Sequence, residues 1–148
     1  EIYALSLHDA LPISPIPLEL GDLHPGDPNI LLLHPGPEAE LLDEHFRRPA
    51  GPIRLVVPDG TWTQTRQMLR REPQLKSLRQ VVLPRGKPSI YALRRGVTPD
   101  GLCTLEAIAR ALGALGEVEA AQRLEQILLT AVRVGMAARG YHDWRPPT

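Results

Sequence analysis

The chain has 148 residues, the length of one ordinary domain, and its 17 basic and 17 acidic side chains leave no net charge. Its one cysteine, Cys103, excludes an internal disulfide and a zinc site built from several cysteines, and favours a reducing, cytoplasmic location. No apolar run approaches membrane-spanning length and no histidine has metal-ligand spacing with a partner, so we expect neither membrane association nor a metal site.

The first residues are set aside from the fold prediction. Residues 1–14 lack the basic start and the small-residue cleavage site of a signal peptide. Codon by codon, residues 1–13 are similar to the translation of a common sequencing-adapter oligonucleotide, from which Ala4 is the only departure. The hypothesis is an artefactual tail, and a natural, poorly ordered tail is the alternative. Proline-rich residues 15–29 predict an irregular connector.

Apolar runs and helix-like segments then alternate along the chain. A continuous apolar run at 30–33 predicts a buried strand, and largely apolar segments at 53–57 and about 80–83 predict a second and a third strand. Good helix formers predict one helix in 37–48 and another in 61–71. Because strands that alternate with helices form parallel sheets with crossover connections, the fold class is α/β with a parallel sheet and flanking helices.

The C-terminal third is predicted to be helical. Helical spacing of apolar residues indicates one helix that begins at a Thr104 N-cap and stops at Gly116. A second helix covers about 118–138, and residues 141–148 are expected to fray. Its apolar face is predicted to contain Val118, Ala121, Leu124, Leu128, Ala131, Val132 and Gly135.

The stretch Asp59-Gly60-Thr61-Trp62 lies where the second strand should pass into a helix. Ligands of open α/β sheets bind beyond the carboxyl ends of the strands, and an aspartate and a tryptophan there suit chemistry and stacking. A structural explanation competes with this one, because Thr61 and Gln64 fit a capping box and Trp62 suits a core anchor.

Two further segments carry polar side chains at comparable positions. "LPRGKPSIYALRR" follows the third strand and offers a glycine, a hydroxyl, an aromatic ring and arginines, or else forms a solvated surface loop. "LCTLEA" opens the next helix, where Thr104 and Glu106 suit either a ligand or the helix dipole alone. We expect the turn at Pro58, the loop at Gly86 and the cap at Thr104 to meet in one pocket rimmed by arginine.

Positive charge is concentrated in the middle of the neutral chain. Residues 66–95 contain nine basic side chains and one acidic side chain, a balance of +8. Such a stretch suggests an anion-binding surface, with a phosphate backbone as the leading candidate, although a solvated helix face is the simpler alternative. The basic residues expected to bind RNA are Arg66, Arg70, Arg71, Arg85 and Lys87.

In this order and spacing, "PDGTWTQTRQML", "LPRGKPSIYALR" and "LCTLEAIA" resemble the DTW-domain family over residues 30–140. The resemblance implies a SPOUT-like α/β fold with a C-terminal trefoil knot. It also implies transfer of the 3-amino-3-carboxypropyl group of S-adenosylmethionine to N3 of a tRNA uridine. The family's cysteine-rich N-terminal segment has no counterpart here, which indicates a family domain without its N-terminal portion.

Residue roles follow from the resemblance position by position. Asp59, Thr61 and Trp62 match the motif that names the family and are the expected catalytic residues, with Asp59 as base and Trp62 as a stacking platform. The expected contacts to S-adenosylmethionine are Leu83, Gly86, Ser89, Tyr91, Arg94, Thr104 and Glu106. The partner is tRNA, and no protein partner is implied. A non-catalytic RNA-binding module and a SPOUT-like RNA methyltransferase remain as alternatives.

Overall fold

The structure, a computed structural model, describes residues 2–6 as backbone and residues 23–93 and 101–147 in full. The chain divides into two compact units, residues 1–82 and 83–148, which are described in turn. In the described part of the chain, no helix combines the length and the apolar character needed to cross a membrane.

The first unit is built on a five-stranded sheet in which every pairing is parallel. Its strands are β1 (Ile2–Ser6), β2 (Ile30–Leu33), β3 (Glu40–Leu41), β4 (Arg54–Asp59) and β5 (Arg79–Val82), in the spatial order β1-β4-β2-β5-β3. Three of the four residues of β2 and the three middle residues of β4 are buried, because strands of a parallel sheet are covered on both faces. The predicted α/β class and its three strands are confirmed.

Helices α1 (Trp62–Arg71) and α2 (Pro73–Lys76) connect β4 to β5. α1 packs its buried side chains, Met68 and Leu69 among them, into the core of this unit. That core also contains Leu23, Ile30, Leu32, Val56, Leu75 and Leu78. The helix predicted in 61–71 is confirmed, with Thr61 as its N-cap.

The helix predicted in 37–48 is wrong. In its place the chain forms the short strand β3, and the Leu42 N–H donates to the Val82 carbonyl at 2.8 Å. Arg79 makes a two-pronged ion pair with Glu40, at 2.7 and 2.8 Å, and lies over the Phe46 ring. Good helix formers are therefore overridden by pairing with β5, which is distant in the sequence.

The terminal segment that the sequence analysis set aside contains β1. Its backbone pairs with β4 from Ile2, opposite Leu55, to Ser6, opposite Asp59. That residues 1–13 are an artefact stays a prediction. Residues 7–22 lie outside the described part of the chain, so the irregular connector expected there also stays a prediction.

The second unit consists of a loop, α3 (Thr104–Ala114) and α4 (Val118–Ala138). Both helices end as the sequence indicates, and Gly116, at φ +87°, stops α3 in the left-handed conformation that glycine favours. The N-cap of α3 is Cys103, so the predicted Thr104 cap is wrong by one residue. The SPOUT-like arrangement and the knot stay as predictions.

The predicted apolar face of α4 is only partly correct. Ala121, Leu128 and Val132 are buried, but Val118 and Ala131 are exposed, and Met136 takes part in the core instead. In the C-terminal tail, Trp144 packs against the Leu128, Val132 and Met136 cluster.

Candidate functional site

Asp59 ends β4 at the carboxyl edge of the sheet, and Gly60 alone separates it from the α1 cap. The strand extends two residues beyond the predicted end at Val57, so Asp59 belongs to the strand itself. This places a half-buried carboxylate at the edge where ligands of parallel sheets bind.

Thr61 caps α1, and its expected catalytic role stays a prediction. Its N–H donates to Gln64 Oε1 at 2.7 Å, and its Oγ1 accepts from the Gln64 N–H at 3.3 Å. The capping box predicted from the sequence is thus confirmed. Thr61 therefore fixes where α1 begins, which in turn fixes where Trp62 lies.

Trp62 is not a core anchor, because 60% of its surface is exposed. Arg66 and Arg70 follow at intervals of four residues and are also exposed, so the three side chains form one face of α1. Met68 and Leu69 occupy the buried face. This surface, Trp62-Arg66-Arg70, is called the α1 stripe below; it offers an aromatic ring and two guanidinium groups to one partner.

Replacing Gly60 with alanine is expected to lower the free energy of unfolding by about 1–3 kcal/mol. Gly60 has φ +154°, and a Cβ there would lie 3.1 Å from Cβ and Oε1 of Gln64, the capping partner of Thr61. Gly51→Ala is the matched control, because Gly51 has φ +94° with open space around it. Urea unfolding of both variants measures the difference, and equal losses would contradict a specific role for the Gly60 contact.

His34, which the sequence analysis considered only as a metal ligand, lies at the same edge. It directly follows β2, and its backbone N–H donates to the Val81 carbonyl. Burial lowers the pKa of His34, and the nearby Gln80 side chain opposes this shift without a hydrogen bond of standard geometry. In the described structure, His34 Nδ1 and Gln80 Oε1 lack hydrogen-bond partners of standard geometry.

In the second unit, Glu106 joins two of the predicted segments. Its carboxylate accepts from Ser89 Oγ at 2.5 Å and from the Ile90 N–H at 2.7 Å. It also accepts from the Cys103 N–H at 3.2 Å, which closes a capping box at the start of α3. Only 5% of Glu106 is exposed. An interaction with the helix dipole alone therefore does not explain Glu106, because its carboxylate also connects the Ser89 loop to α3.

Arg110 holds the same loop from one turn further along α3, a contact that sequence reasoning missed. Its Nη2 donates to the carbonyls of Lys87, at 2.7 Å, and Pro88, at 3.3 Å. A Cβ on Gly86 would lie 3.3 Å from Arg110 Nη1, so this loop passes close to the guanidinium. The one feature of the sequence that pointed to Arg110 was its position four residues after Glu106, on the same face of α3.

The remaining predicted residues of this unit are distributed along the loop. Tyr91 is half-buried and packs with Ile90 and Leu93 against α4, so its ring is part of the core. Leu83 is half-buried, whereas Arg85 and Lys87 are exposed. Arg94 lies outside the described residues. The expected meeting of these segments with the Pro58 turn stays a prediction.

Cys103 caps α3 through its sulfur. Its Sγ accepts from the Glu106 N–H at 3.5 Å, and burial raises the pKa of the thiol. We expect alkylation by iodoacetamide at neutral pH to be about tenfold slower than at an exposed cysteine, because a raised pKa leaves less thiolate. Gln122→Cys in a Cys103→Ser background supplies that reference, and equal rates would contradict the assignment.

No group of three or more metal-ligating side chains occurs within residues 23–93 and 101–147. Thr104 occupies the first helical position of α3, next to the cap. The candidate site thus has two described parts. The first unit contributes Asp59 at the end of β4 and the α1 stripe, and the second unit contributes the Ser89 loop bound to α3.

Comparison with known proteins gives the family. The model of the DTW domain matches residues 18–134. Over 102 residues the chain is 38% identical to a Drosophila melanogaster protein named tRNA-uridine aminocarboxypropyltransferase 2. The match covers 69% of this chain and 39% of that relative, so the chain spans well under half of the relative's length. No solved structure matches. Because the family model covers most of the chain, including the Asp59–Trp62 motif, this protein belongs to the DTW-domain family.

Proposed function

We propose that this protein transfers the 3-amino-3-carboxypropyl group from S-adenosylmethionine to N3 of a uridine in tRNA. Family membership and the printed name of the Drosophila relative support the reaction type. The single structural observation that carries the proposal is the exposed Trp62, placed directly after the Asp59 strand end and on one face with two arginines.

The chemistry requires a choice among carbons. S-adenosylmethionine, when bound, supplies a sulfonium that activates three neighbouring carbons, of which the methylene of the propyl arm must react. That choice depends on position, because the uridine nitrogen must approach in line with one carbon–sulfur bond. The new N–C bond forms as that carbon–sulfur bond breaks, the sulfur keeps the electron pair, and methylthioadenosine leaves. The protein must therefore hold the uracil rigidly and remove the proton from its N3.

The β4 edge and the α1 stripe suit the uridine. We assign Asp59 as the base that takes the N3 proton, and Trp62 as the platform on which an unpaired uracil stacks. Arg66 and Arg70 extend away from Trp62 along one helix face and are assigned to the phosphates next to that base. Arg71 in the first unit, and Arg85 and Lys87 in the second unit, are exposed and stay assigned to RNA phosphates.

The α3 loop fits the polar part of S-adenosylmethionine. The positive dipole end of the eleven-residue helix α3 would favour a carboxylate near this loop, in which Gly86 is exposed. Leu83, Ser89, Tyr91, Arg94 and Thr104 remain assigned to this ligand by the family motif. Glu106 is assigned differently, as a positioning residue, because its carboxylate already accepts three hydrogen bonds.

The decisive assay incubates the protein with tRNA and with S-adenosylmethionine labelled either in the carboxyl carbon or in the methyl group. Carboxyl label in the RNA is the expected result. Methyl label alone would identify an RNA methyltransferase, and tRNA binding without label would identify a non-catalytic RNA-binding module. The full-length gene product is assayed in parallel, because the chain covers 39% of its relative.

Replacing Arg66 and Arg70 together with alanine is expected to weaken tRNA binding and to reduce the slope of log affinity against log salt by about 1–2. Each arginine that contacts a phosphate releases roughly one counterion on binding. The matched control is Arg133→Ala, which removes an exposed arginine from α4. Filter binding across a salt series measures both slopes. An unchanged slope in the double variant would remove the α1 stripe from the RNA contact surface.

A further inference from the structure

The Ser89 loop contacts two side chains of opposite charge on one face of α3. Glu106 accepts from donors of the loop, which are Ser89 Oγ and the N–H of the residue that follows. Arg110, one turn later, donates through Nη2 to two consecutive carbonyls of the loop, beginning at Lys87. The two side chains together fix the path of the loop, but they are not equally occupied.

Glu106 is fully engaged, whereas part of Arg110 is not. The Glu106 carboxylate accepts three hydrogen bonds and only 5% of the residue is exposed. A guanidinium has five N–H donors, and the two loop carbonyls bind only Nη2 of Arg110. Within residues 23–93 and 101–147, Nη1 and Nε have no hydrogen-bond partner and the guanidinium has no ion-pair partner. A positive charge that is held in place but keeps donors for a ligand therefore lies beside the loop.

Gly86 keeps the space next to Nη1 of Arg110 clear. A Cβ on this glycine would lie 3.3 Å from Nη1, and its next neighbour would be the Pro84 carbonyl oxygen at 3.9 Å. Gly86 does not have a positive φ, so the close approach of the guanidinium is what the missing side chain allows. Helical side chains point back towards the N-terminus, which places this guanidinium near the positive dipole end of α3. Both features favour an oxyanion next to Nη1.

Burial distinguishes Arg110 from the two cations that flank Gly86. Arg85 and Lys87 are exposed, which suits contacts to the phosphates of a macromolecule. Arg110 is half-buried, and carbonyls of the loop already fix its rotamer. Because little side-chain entropy is left to lose, such a guanidinium suits the terminal carboxylate of a small bound molecule.

We propose that Arg110 binds the carboxylate of S-adenosylmethionine through Nη1, and that it selects donors in which this carboxylate is intact. This assignment rests on the function proposed above and adds a binding residue to it. Anchoring the carboxylate fixes one end of the propyl arm. The methylene carbon of that arm, and not the methyl group, is thereby held in line with the uridine nitrogen.

Calorimetric titration without tRNA tests the contact, with S-adenosylmethionine and its decarboxylated form as ligands of the full-length gene product. We expect the parent protein to bind S-adenosylmethionine about 10–100-fold more tightly, the range for a hydrogen bond to a charged group. Arg110→Ala should reduce this preference about tenfold or more, because the decarboxylated donor never makes the contact. Arg133→Ala is the matched control, since it removes an exposed arginine from α4 and should leave the preference unchanged.

Gly86→Ala provides a second variant, in which the guanidinium itself is retained. Its Cβ would occupy the space next to Nη1 and should lower the same preference. Gly113→Ala is its control, because a Cβ there would make only an ordinary contact, at 3.7 Å, with the Ala121 side chain. Circular dichroism checks that each variant is folded.

The comparison of the two donors separates a direct contact from support of the loop. Equal losses of affinity for both donors in Arg110→Ala would overturn the proposal, because Arg110 would then only support the loop, while the proposed transfer reaction would stand. An unchanged donor preference together with weaker tRNA binding would assign Nη1 to an RNA phosphate and would also overturn it. A full-length protein that binds neither donor would contradict the proposed function itself, and the role of Arg110 with it.

Discussion

Replacing Glu106 with alanine is expected to destabilise the second unit by about 2–4 kcal/mol, the largest structural effect of any single change in the site. The substitution leaves the Ser89 hydroxyl and the backbone N–H groups of Ile90 and Cys103 without their acceptor. Buried donors that lose a charged acceptor must be desolvated without compensation, which is the costly case. Urea unfolding, followed by circular dichroism at the helix band, measures the loss.

Two controls separate this effect from a general loss of charge. Glu119→Ala removes a carboxylate that is 91% exposed on α4, and its effect is expected to lie within about 0.5 kcal/mol. Glu106→Gln keeps the shape but turns one acceptor oxygen into a donor, so it should be less harmful than alanine yet still clearly destabilising. If Glu106→Ala unfolds at the same urea concentration as Glu119→Ala, the carboxylate does not hold the loop.

The same substitution has a functional consequence. Release of the Ser89 loop is expected to raise KM for S-adenosylmethionine more than it weakens tRNA binding, because the substitution leaves the α1 stripe unchanged and affects only Arg85 and Lys87 among the predicted RNA contacts. Arg110→Ala should move KM in the same direction by a smaller amount, since Arg110 donates to carbonyls of the same loop. A parallel loss of tRNA affinity in both variants would contradict the separate assignment of the two ligands.

Local signals made much of the fold predictable. β2 is a continuous apolar run and β4 has the apolar centre Leu55, Val56 and Val57, which a parallel sheet buries, and α1 begins where its capping box requires. Both termini of α4 also follow from helical periodicity. In each case the determining residues lie within a few positions of one another, so the sequence contains the whole signal.

Pairing over long distances in the sequence was not predictable in the same way. Residues 37–48 have helix-forming composition, yet Glu40 is held by Arg79, and Leu42 is bound to the Val82 backbone. Nothing near Glu40 announces a partner 39 positions away. Propensity is a weak prior that tertiary contacts override, and this segment is an example.

The site residues likewise fall into those that local sequence features could predict and those that they could not. Asp59 and Trp62 could be selected because a strand-to-helix junction is a recognisable place for ligands. The role of Glu106 could not be found, because a glutamate in the first turn of a helix is already explained by the dipole. Cys103 as a cap was equally hidden, since serine, threonine, aspartate and asparagine are the usual choices and Thr104 stands next to it.

Asp59→Asn is expected to reduce the rate of aminocarboxypropyl transfer by about 10²–10⁴, the range typical for loss of a general base. The amide has nearly the same shape as the carboxylate but accepts a proton far less readily, so N3 of the uridine keeps its proton as attack begins. Because asparagine keeps the shape of the side chain and the α1 stripe is unchanged, tRNA affinity should change little. Single-turnover transfer in the full-length gene product measures the rate.

The pH dependence gives this prediction its sharpest test. If Asp59 removes the N3 proton, the variant must rely on solvent, and its rate should rise steeply with pH as the uridine itself ionises. The gap between the parent and Asp59→Asn proteins should therefore narrow in alkaline solution. A variant that is equally slow at every pH would assign Asp59 to holding the substrate and not to proton removal. Full activity would exclude Asp59 from both roles, and the exposed Trp62 would then mark only a binding surface.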